Sequence, residues 1–269
     1  MNFLIFIFFI VFALTNCTSN PSNNRKQLTI IPNSIINHLS DSYYYQFLEE
    51  NRISKDKNLN LKIRNISERI EVGIKKYFYF KNKYHLYDKF SFEYETSIIK
   101  DKRTLNAFAL PTAKIVFYSR ILDFTDNDAM IAAIIAHEMG HVVALHSQER
   151  MSHAFALEAL SLVISGVPGA GSLLADIGYF LPFSRFQEKE ADELGLIFMC
   201  FAGYEPKNAI LFWEKIFNYH ENVKKYKSNN DLVSSFKRNM PSILRTHPLT
   251  KKRIKNLNNL LDLDKINCK

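Results

Sequence analysis

Three residues within one apolar segment have the types and the spacing of a metal hydrolase site. His137 and His141 are four residues apart, and Glu138 directly follows the first of them. On an α-helix, side chains four residues apart lie on the same face, about one turn from each other, so both imidazoles can reach a single metal ion. Glu138 would then point at the open side of that metal. The pattern HExxH is typical of zinc hydrolases.

The helix that carries this motif is predicted to be buried. No polar side chain occurs from Ala129 to Ala136, and residues 142–145 are again apolar. Burial of two imidazoles and a carboxylate is costly unless a metal ion or a hydrogen-bond network satisfies them. We therefore favour a metal site over a structural cluster of histidines.

The first residues predict export. Residues 3–14 are continuously apolar, which is too short for the roughly 20 residues of a spanning helix but suits the core of a signal peptide. The following sequence, Leu14-Thr15-Asn16-Cys17, resembles a bacterial lipobox, so residues 1–16 are predicted to be removed and Cys17 to become lipidated. Because Asn16 is not a small residue and no Lys or Arg precedes the apolar run, a simply cleaved signal and an uncleaved anchor remain alternatives.

The remainder is predicted to be one mainly helical α+β domain. The 269 residues, 47% of them hydrophobic, are enough for a good-sized core. We expect residues 17–60 to form a polar tether followed by a helix at 34–50, and residues 61–269 to form the domain.

A small sheet is predicted to precede the metal helix. Apolar positions recur with helical spacing from 63 to 79, whereas residues 90–99 alternate as in a half-buried strand. Residues 106–110 and 114–119 follow as a hairpin around Pro111 and Thr112.

The net charge bears on the binding partners, and the cysteine spacing bears on metal and redox sites. The net charge of +8 favours an anionic membrane face, and we find no nucleic-acid-binding motif. Cys200 and Cys268 have no CxxC spacing, so they predict neither a zinc ribbon nor a redox motif. A disulfide between them and a buried free thiol at Cys200 both remain open.

Four segments, in order and with preserved spacing, resemble the signature blocks of one zinc metallopeptidase family. They are NAFALPTAKIVFYSRIL, DNDAMIAAIIAHEMGHVVALHSQERMS, RFQEKEADELGLIFMCFAGYEP and THPLTKKRI. This family contains the CaaX prenyl endopeptidases, the HtpX proteases, the mitochondrial Oma-type proteases and the periplasmic proteases LoiP and BepA. The chain resembles the short LoiP-like form, and the resemblance implies a gluzincin-type metallopeptidase domain.

The resemblance also implies a third zinc ligand from a second helix. This ligand is Glu188, the first residue of an E-x-x-A-D block. Glu190 is the nearest competitor, but it would face a different side of the helix. Asp192, one turn after Glu188, is expected to accept the free N–H of a ligand histidine. A metzincin would need a third histidine where this chain has Ser147.

One zinc ion per chain, held by two histidines and a carboxylate, would keep an open position for water. Glu138 is expected to be the general base and not a ligand. His247 is expected to stabilise the oxyanion or to occupy the fourth zinc position, with a plain loop residue as the alternative, and Arg253 to join this cluster. Solvated or capping roles are expected for the remaining histidines: His38, His85, His146, His153 and His220.

Two further segments bear on the substrate. One segment, which consists of Asn106, Ala107, Phe108 and Ala109, resembles the edge strand of the family. An extended peptide can add to such a strand by main-chain hydrogen bonds. An ordinary core strand is the alternative. The apolar tract from Ala154 to Phe183 is interrupted by charged residues, proline and glycines, so we expect a hinged lid or plug, with membrane contact as the alternative.

Together these features predict an exported zinc endopeptidase that cleaves unfolded, misfolded or damaged envelope proteins. We expect it in the periplasm, attached through Cys17 to a membrane, the outer one in a Gram-negative host. The alternative is a zinc-stabilised chaperone-like or binding protein in which His247 or another group permanently fills the fourth zinc position. Dependence of function on Glu138 separates these two hypotheses, because a purely structural site gains nothing from that carboxylate.

Overall fold

The structure is a computed structural model that describes residues 17–87, 94–165, 183–228 and 242–262. The predicted signal peptide and most of the predicted lid lie outside these residues. The described elements confirm a mainly helical fold with small sheets. In chain order they are β1 (Cys17–Ser19), β2 (Lys26–Leu28), α1 (Asn33–Glu50), α2 (Lys57–Phe80), α3 (Tyr84–Tyr87), β3 (Glu95–Ile99), β4 (Ala107–Ala109), β5 (Lys114–Tyr118), α4 (Ser119–Leu122), α5 (Asp128–Val143), α6 (His146–Ser165), α7 (Arg185–Phe201), α8 (Lys207–Ser228), α9 (Ser242–Thr246) and α10 (Lys251–Asp262).

Helix α5, which carries the HExxH motif, lies at the centre of the core. The side chain of Asn127 caps its N-terminus by accepting a hydrogen bond from the Met130 backbone N–H. Every residue from Met130 to Val143 is buried, as the absence of polar side chains before the motif predicts. The polar groups of the motif are therefore held inside the protein and must find partners there.

Helix α7 packs directly on α5, because small residues let the two backbones approach. A Cβ atom added at Gly140 would lie 2.7 Å from the Ala191 carbonyl oxygen, and one added at Gly195 would lie 3.2 Å from the His137 Cα. Helix α7 begins with a capping box between Ser184 and Gln187. This close packing places the first turns of α7 opposite the histidines of α5.

The larger sheet has the strand order β3-β5-β4. Strand β3 pairs parallel with β5, and β4 pairs antiparallel with β5, which confirms the predicted hairpin. Helix α1 covers this sheet, with Tyr44 buried and bonded to Ser97 at 2.8 Å, and with Phe47 against Phe108. The order leaves β4 at an edge of the sheet, beside helix α5.

Residues 17–28, which we call the N-terminal hairpin, differ from the tether that their polar composition predicts. Strands β1 and β2 pair antiparallel, and Asn20 in the turn between them is fully buried. A polar segment can fold in this way because its side chains satisfy polar groups that are buried in the domain. The helix expected after it is present as α1.

Two further predictions concern cysteines and membranes. Cys200 is disulfide-bonded, so a free thiol is excluded there, while the side chains of Cys17 and Cys268 lie outside the described part. Within the described residues, no single helix has the length and apolarity to cross a membrane. The bent pair Asp128–Val143 and His146–Glu158, which meet at 47°, passes that test together, by length and composition alone.

Candidate metal centre

Four buried side chains converge beside the centre of α5. They are His137 and His141 from α5, Glu188 from α7, and His247 from the segment between α9 and α10. One potential ligand atom of each lies within 4.8 Å of those of all the others. The Nε2 atoms of His137 and His141 are 3.2 Å apart. The structure thus brings together the three predicted ligands and adds His247 to them.

The charges of this group suit a cation. Burial lowers the pKa of His141 well below its usual value, so this imidazole is neutral at pH 7 with a free lone pair. Burial alone would raise the pKa of Glu188, but Arg253, His247 and His141 outweigh it and hold that pKa well below its usual value. Lone pairs of two ring nitrogens and a carboxylate meet here out of water, and a metal ion would satisfy them.

Asp192 lies beside the first histidine. Its Oδ1 lies 3.1 Å from His137 Nδ1, the ring nitrogen that faces away from the metal group. Arg253 holds Asp192 in place with two hydrogen bonds, of 2.6 and 2.7 Å, and also contacts Glu188. Burial would raise the pKa of Asp192, but Arg253 and His137 lower it, so the carboxylate remains charged. This distance is compatible with the role that the resemblance implied for Asp192, which stays a prediction.

Glu138 lies between the edge strand and His247. Its Oε2 accepts a hydrogen bond from the backbone N–H of Ala109 at 3.0 Å, and its Oε1 is 3.3 Å from His247 Nε2. The N–H of Ala109 therefore points away from β5 and towards the metal group. A peptide that added to this edge of β4 would lie next to Glu138.

His247 belongs to the cluster and is not a plain loop residue. It is buried, and its Nδ1 lies 3.0 Å from Glu188 Oε1 and 3.3 Å from His137 Nε2. Burial would lower the pKa of His247, but the carboxylates of Glu138 and Glu188 outweigh it and raise that pKa. Its two nitrogens reach both a metal ligand and the expected general base, so both roles considered for His247 are compatible with this position.

The prediction for His146 was wrong. This residue is fully buried, and its Nδ1 lies 2.9 Å from His141 Nδ1. The chain reaches this position through Leu145, whose φ of 55° turns it back between α5 and α6. Such a turn cannot be read from helical spacing. His220 is also buried, whereas His38, His85 and His153 are exposed as expected.

Glu190 does face away from the four ligand atoms, as helical geometry predicts, but it is not a solvated residue. It is buried, and its Oε2 lies 3.1 Å from His146 Nε2. The sequence did not indicate the contact between His146 and Glu190, because the two residues lie on different helices and are 44 positions apart. The apolar residues 142–145 precede His146, but polar residues follow it, so its burial was not evident from the sequence.

Phe183 covers one ligand. Its ring stacks on that of His141, with the ring centroids 3.6 Å apart, and its backbone N–H donates to the Thr246 carbonyl. Phe183 is the last residue of the apolar tract predicted to form a lid. Residues 166–182 of that tract lie outside the described residues, so the lid remains a prediction.

Comparisons with known proteins agree with this geometry. The model of the family described as Peptidase family M48 matches residues 83–261. The chain is 33% identical over 173 residues to the mitochondrial metalloendopeptidase OMA1 of Saccharomyces cerevisiae, covering 63% of this chain and 47% of that protein. It is 25% identical over 169 residues to the beta-barrel assembly-enhancing protease of Escherichia coli, covering 58% of this chain and 32% of that protein. The chain thus spans half or less of the length of these relatives.

Proposed function

The chain belongs to peptidase family M48, and we propose that it is an endopeptidase that uses one zinc ion held by His137, His141 and Glu188. Membership confirms the resemblance read from the four sequence blocks. The observation that carries the proposal is the convergence of these three side chains in a buried group, with Glu138 beside them. Two imidazoles and one carboxylate are the ligands of peptide-hydrolysing zinc enzymes, and they leave a position for water.

When bound, zinc supplies a Lewis acid that polarises a peptide carbonyl and acidifies water. Glu138 takes the proton of the attacking water and later delivers it to the leaving amine. Two groups hold the Glu138 carboxylate in place. The N–H of Ala109 contacts Oε2, and the Nε2 of His247 contacts Oε1. His247 can also donate to the oxygen on which negative charge develops. Asp192 fixes the ring of His137 through Nδ1.

The substrate that suits this site is an extended chain. Residues Asn106 to Ala109 include an edge strand whose Ala109 N–H faces Glu138 and not β5. Addition of a peptide to this edge uses main-chain hydrogen bonds, which favours unfolded proteins and a loose sequence preference. We therefore propose misfolded or damaged proteins of the cell envelope as substrates. One relative is named for enhancing beta-barrel assembly, which supports this choice.

A protein offered both unfolded and folded tests this proposal. We expect the purified chain to cut reduced, alkylated lysozyme at internal bonds, to leave native lysozyme intact, to stop when a chelator is added and to recover with one equivalent of Zn²⁺. Mass spectrometry of the fragments identifies the cleaved bonds. Release of terminal residues alone, or cleavage that survives complete metal removal, would contradict the proposal.

We further propose that the protein is exported and attached to a membrane through Cys17. The apolar residues 3–14, the lipobox-like sequence before Cys17 and the net charge of +8 support this location. The mass of the N-terminal peptide of protein isolated from its host tests it directly. We expect a lipidated Cys17, and release of the Cys17→Ala protein from the membrane fraction. An unmodified Cys17 in membrane-bound protein would refute lipidation.

His247 supports a second candidate, a chaperone-like or binding protein with a closed zinc site. Structural zinc sites have four protein ligands, and the Nδ1 of His247 lies among the ligand atoms of the other three. In such a protein, Glu138 would not be needed for function. The effect of replacing Glu138 therefore separates the two candidates.

A further inference from the structure

A continuous series of hydrogen bonds joins the ligand His141 to the N-terminal hairpin. His141 Nδ1, on the side of the ring away from the metal group, lies 2.9 Å from His146 Nδ1. His146 Nε2 lies 3.1 Å from Glu190 Oε2, and Glu190 Oε1 accepts a hydrogen bond of 2.8 Å from Asn20 Nδ2. His146 and Asn20 are fully buried, and Glu190 nearly so. The hairpin is therefore three hydrogen bonds away from a metal ligand.

One assignment of protons satisfies this whole series when His141 binds a metal through Nε2. Its Nδ1 then carries a proton and donates to His146 Nδ1, which must accept it. The proton of His146 is consequently on Nε2, from which it is donated to the carboxylate of Glu190. A group that accepts the free N–H of a ligand histidine fixes the orientation of the ring and raises the basicity of the metal-binding nitrogen.

The hairpin holds Glu190 with several donors. Besides Asn20, the side chains of Asn23 and Ser22 donate to the same oxygen, at 2.9 and 3.1 Å. Asn20 Nδ2 also lies 3.1 Å from the carbonyl oxygen of Ala144, at the end of α5. The turn of the hairpin thus links the end of the metal helix to the carboxylate behind His146.

A separate contact keeps the hairpin docked. Arg25 forms two hydrogen bonds with Glu149, of 2.6 and 2.9 Å, and Gln187 donates to Glu149 at 3.0 Å. The same guanidinium also lies 3.5 Å from Glu190 Oε2, but its bonds to Glu149 are shorter and do not need Glu190. A change at Glu190 is therefore expected to disturb the series to His141 without detaching the hairpin.

The turn that presents His146 is strained. Leu145 has a φ of 55°, a left-handed conformation that is unfavourable for a residue with a side chain. Such strain persists where the surrounding structure requires it, and here it returns His146 to the ring of His141.

We propose that His146 and Glu190 are positioning residues for the metal ligand His141, and that the N-terminal hairpin completes the metal site by holding Glu190. The inference rests on the metal site of the proposed function. His146 and Glu190 act on the metal through the ring of His141. The hairpin begins at Cys17, the proposed site of lipid attachment. The proposal therefore makes assembly of the metal site depend on the segment next to the membrane anchor.

The Zn²⁺ dissociation constant of the purified chain, measured by competition with a chromogenic chelator, tests the proposal. We expect His146→Gln and Glu190→Gln each to weaken Zn²⁺ binding by about 10–100-fold, the usual effect of losing a partner of a ligand. Asn20→Ala should weaken it by a smaller factor, because Asn23 and Ser22 still hold Glu190.

Two matched controls are available on the same helices. His153 on α6 and Glu193 on α7 are exposed. We expect His153→Gln and Glu193→Gln to leave the dissociation constant unchanged. The double variant of His146 and Glu190 should bind Zn²⁺ no more weakly than the weaker single variant, because both act through one series of bonds.

A second measurement separates positioning from a purely structural role. The visible absorption of the Co²⁺-loaded chain reports the ligand field, so both variants should shift it if the ring of His141 is reoriented. A structural role would lower the thermal stability of the metal-free chain and leave the Co²⁺ bands and the Zn²⁺ dissociation constant unchanged.

Failure of the positioning role and failure of the proposed function give different results. If the unmodified chain binds Zn²⁺ and cleaves unfolded protein, while His146→Gln and Glu190→Gln bind Zn²⁺ equally well with unshifted Co²⁺ bands, the positioning role is refuted and the proposed function stands. If the unmodified chain binds no Zn²⁺, the proposed function fails and the positioning role fails with it.

Discussion

Replacement of Glu138 by glutamine is expected to abolish cleavage of an unfolded protein while the metal remains bound. Glutamine has nearly the same shape and can still accept the N–H of Ala109, which now donates to Glu138 at 3.0 Å. It cannot take a proton from water, and the loss of a general base typically costs about 10²–10⁴-fold in rate. Initial cleavage rates, together with zinc content by elemental analysis, measure both effects on one preparation.

The control for this experiment is Glu193→Gln, which makes the same chemical change at an exposed position. It should cleave at the rate of the unmodified chain. Cleavage by Glu138→Gln within a few-fold of that rate would exclude Glu138 as the base. Loss of zinc from Glu138→Gln would instead make Glu138 a ligand. If Glu138→Gln did not cleave but still supported the function of the protein in its host, the closed-site candidate would be favoured.

Replacement of Glu188 by glutamine is expected to remove the metal itself. Glu188 is the one carboxylate among the four converging groups, and it is buried and charged. An amide is a much weaker zinc ligand, so zinc binding should weaken by more than the roughly 10–100-fold expected for the loss of a partner of a ligand. Cleavage should be lost together with the metal.

Thermal unfolding with and without Zn²⁺ measures this effect independently of activity. A ligand at about 100 times its dissociation constant stabilises a protein by about 2.7 kcal/mol, so Zn²⁺ should raise the Tm of the unmodified chain. The same Zn²⁺ concentration should leave the Tm of Glu188→Gln nearly unchanged. A full complement of zinc in Glu188→Gln would show that the third ligand is another group, with His247 the nearest candidate.

The parts of the site that could be predicted from sequence are those set by local geometry. The spacing of His137 and His141 and the apolar residues around them predicted a buried helix with both imidazoles on one face. The hairpin of β4 and β5 was likewise predicted from alternation and a turn. Glu188 lies on a different helix, so its place beside the histidines followed from family resemblance and not from periodicity.

The rest depended on contacts between distant segments. Asn20 and Glu190 are 170 residues apart, and nothing in the polar composition of residues 17–28 indicates that they fold against α7. Helical spacing places Glu190 away from the ligand atoms but does not identify the buried His146 that it meets there. The left-handed conformation of Leu145, which carries His146 to that position, is set by tertiary packing.

Zinc binding by His137, His141 and Glu188 is tested most directly by the position of the metal in crystals of the zinc-loaded chain, located by anomalous scattering at the zinc edge. We expect one peak per chain, about 2.0–2.2 Å from His137 Nε2, His141 Nε2 and an oxygen of Glu188. A peak bound by other residues, or none in protein that has been supplied with Zn²⁺, would contradict it.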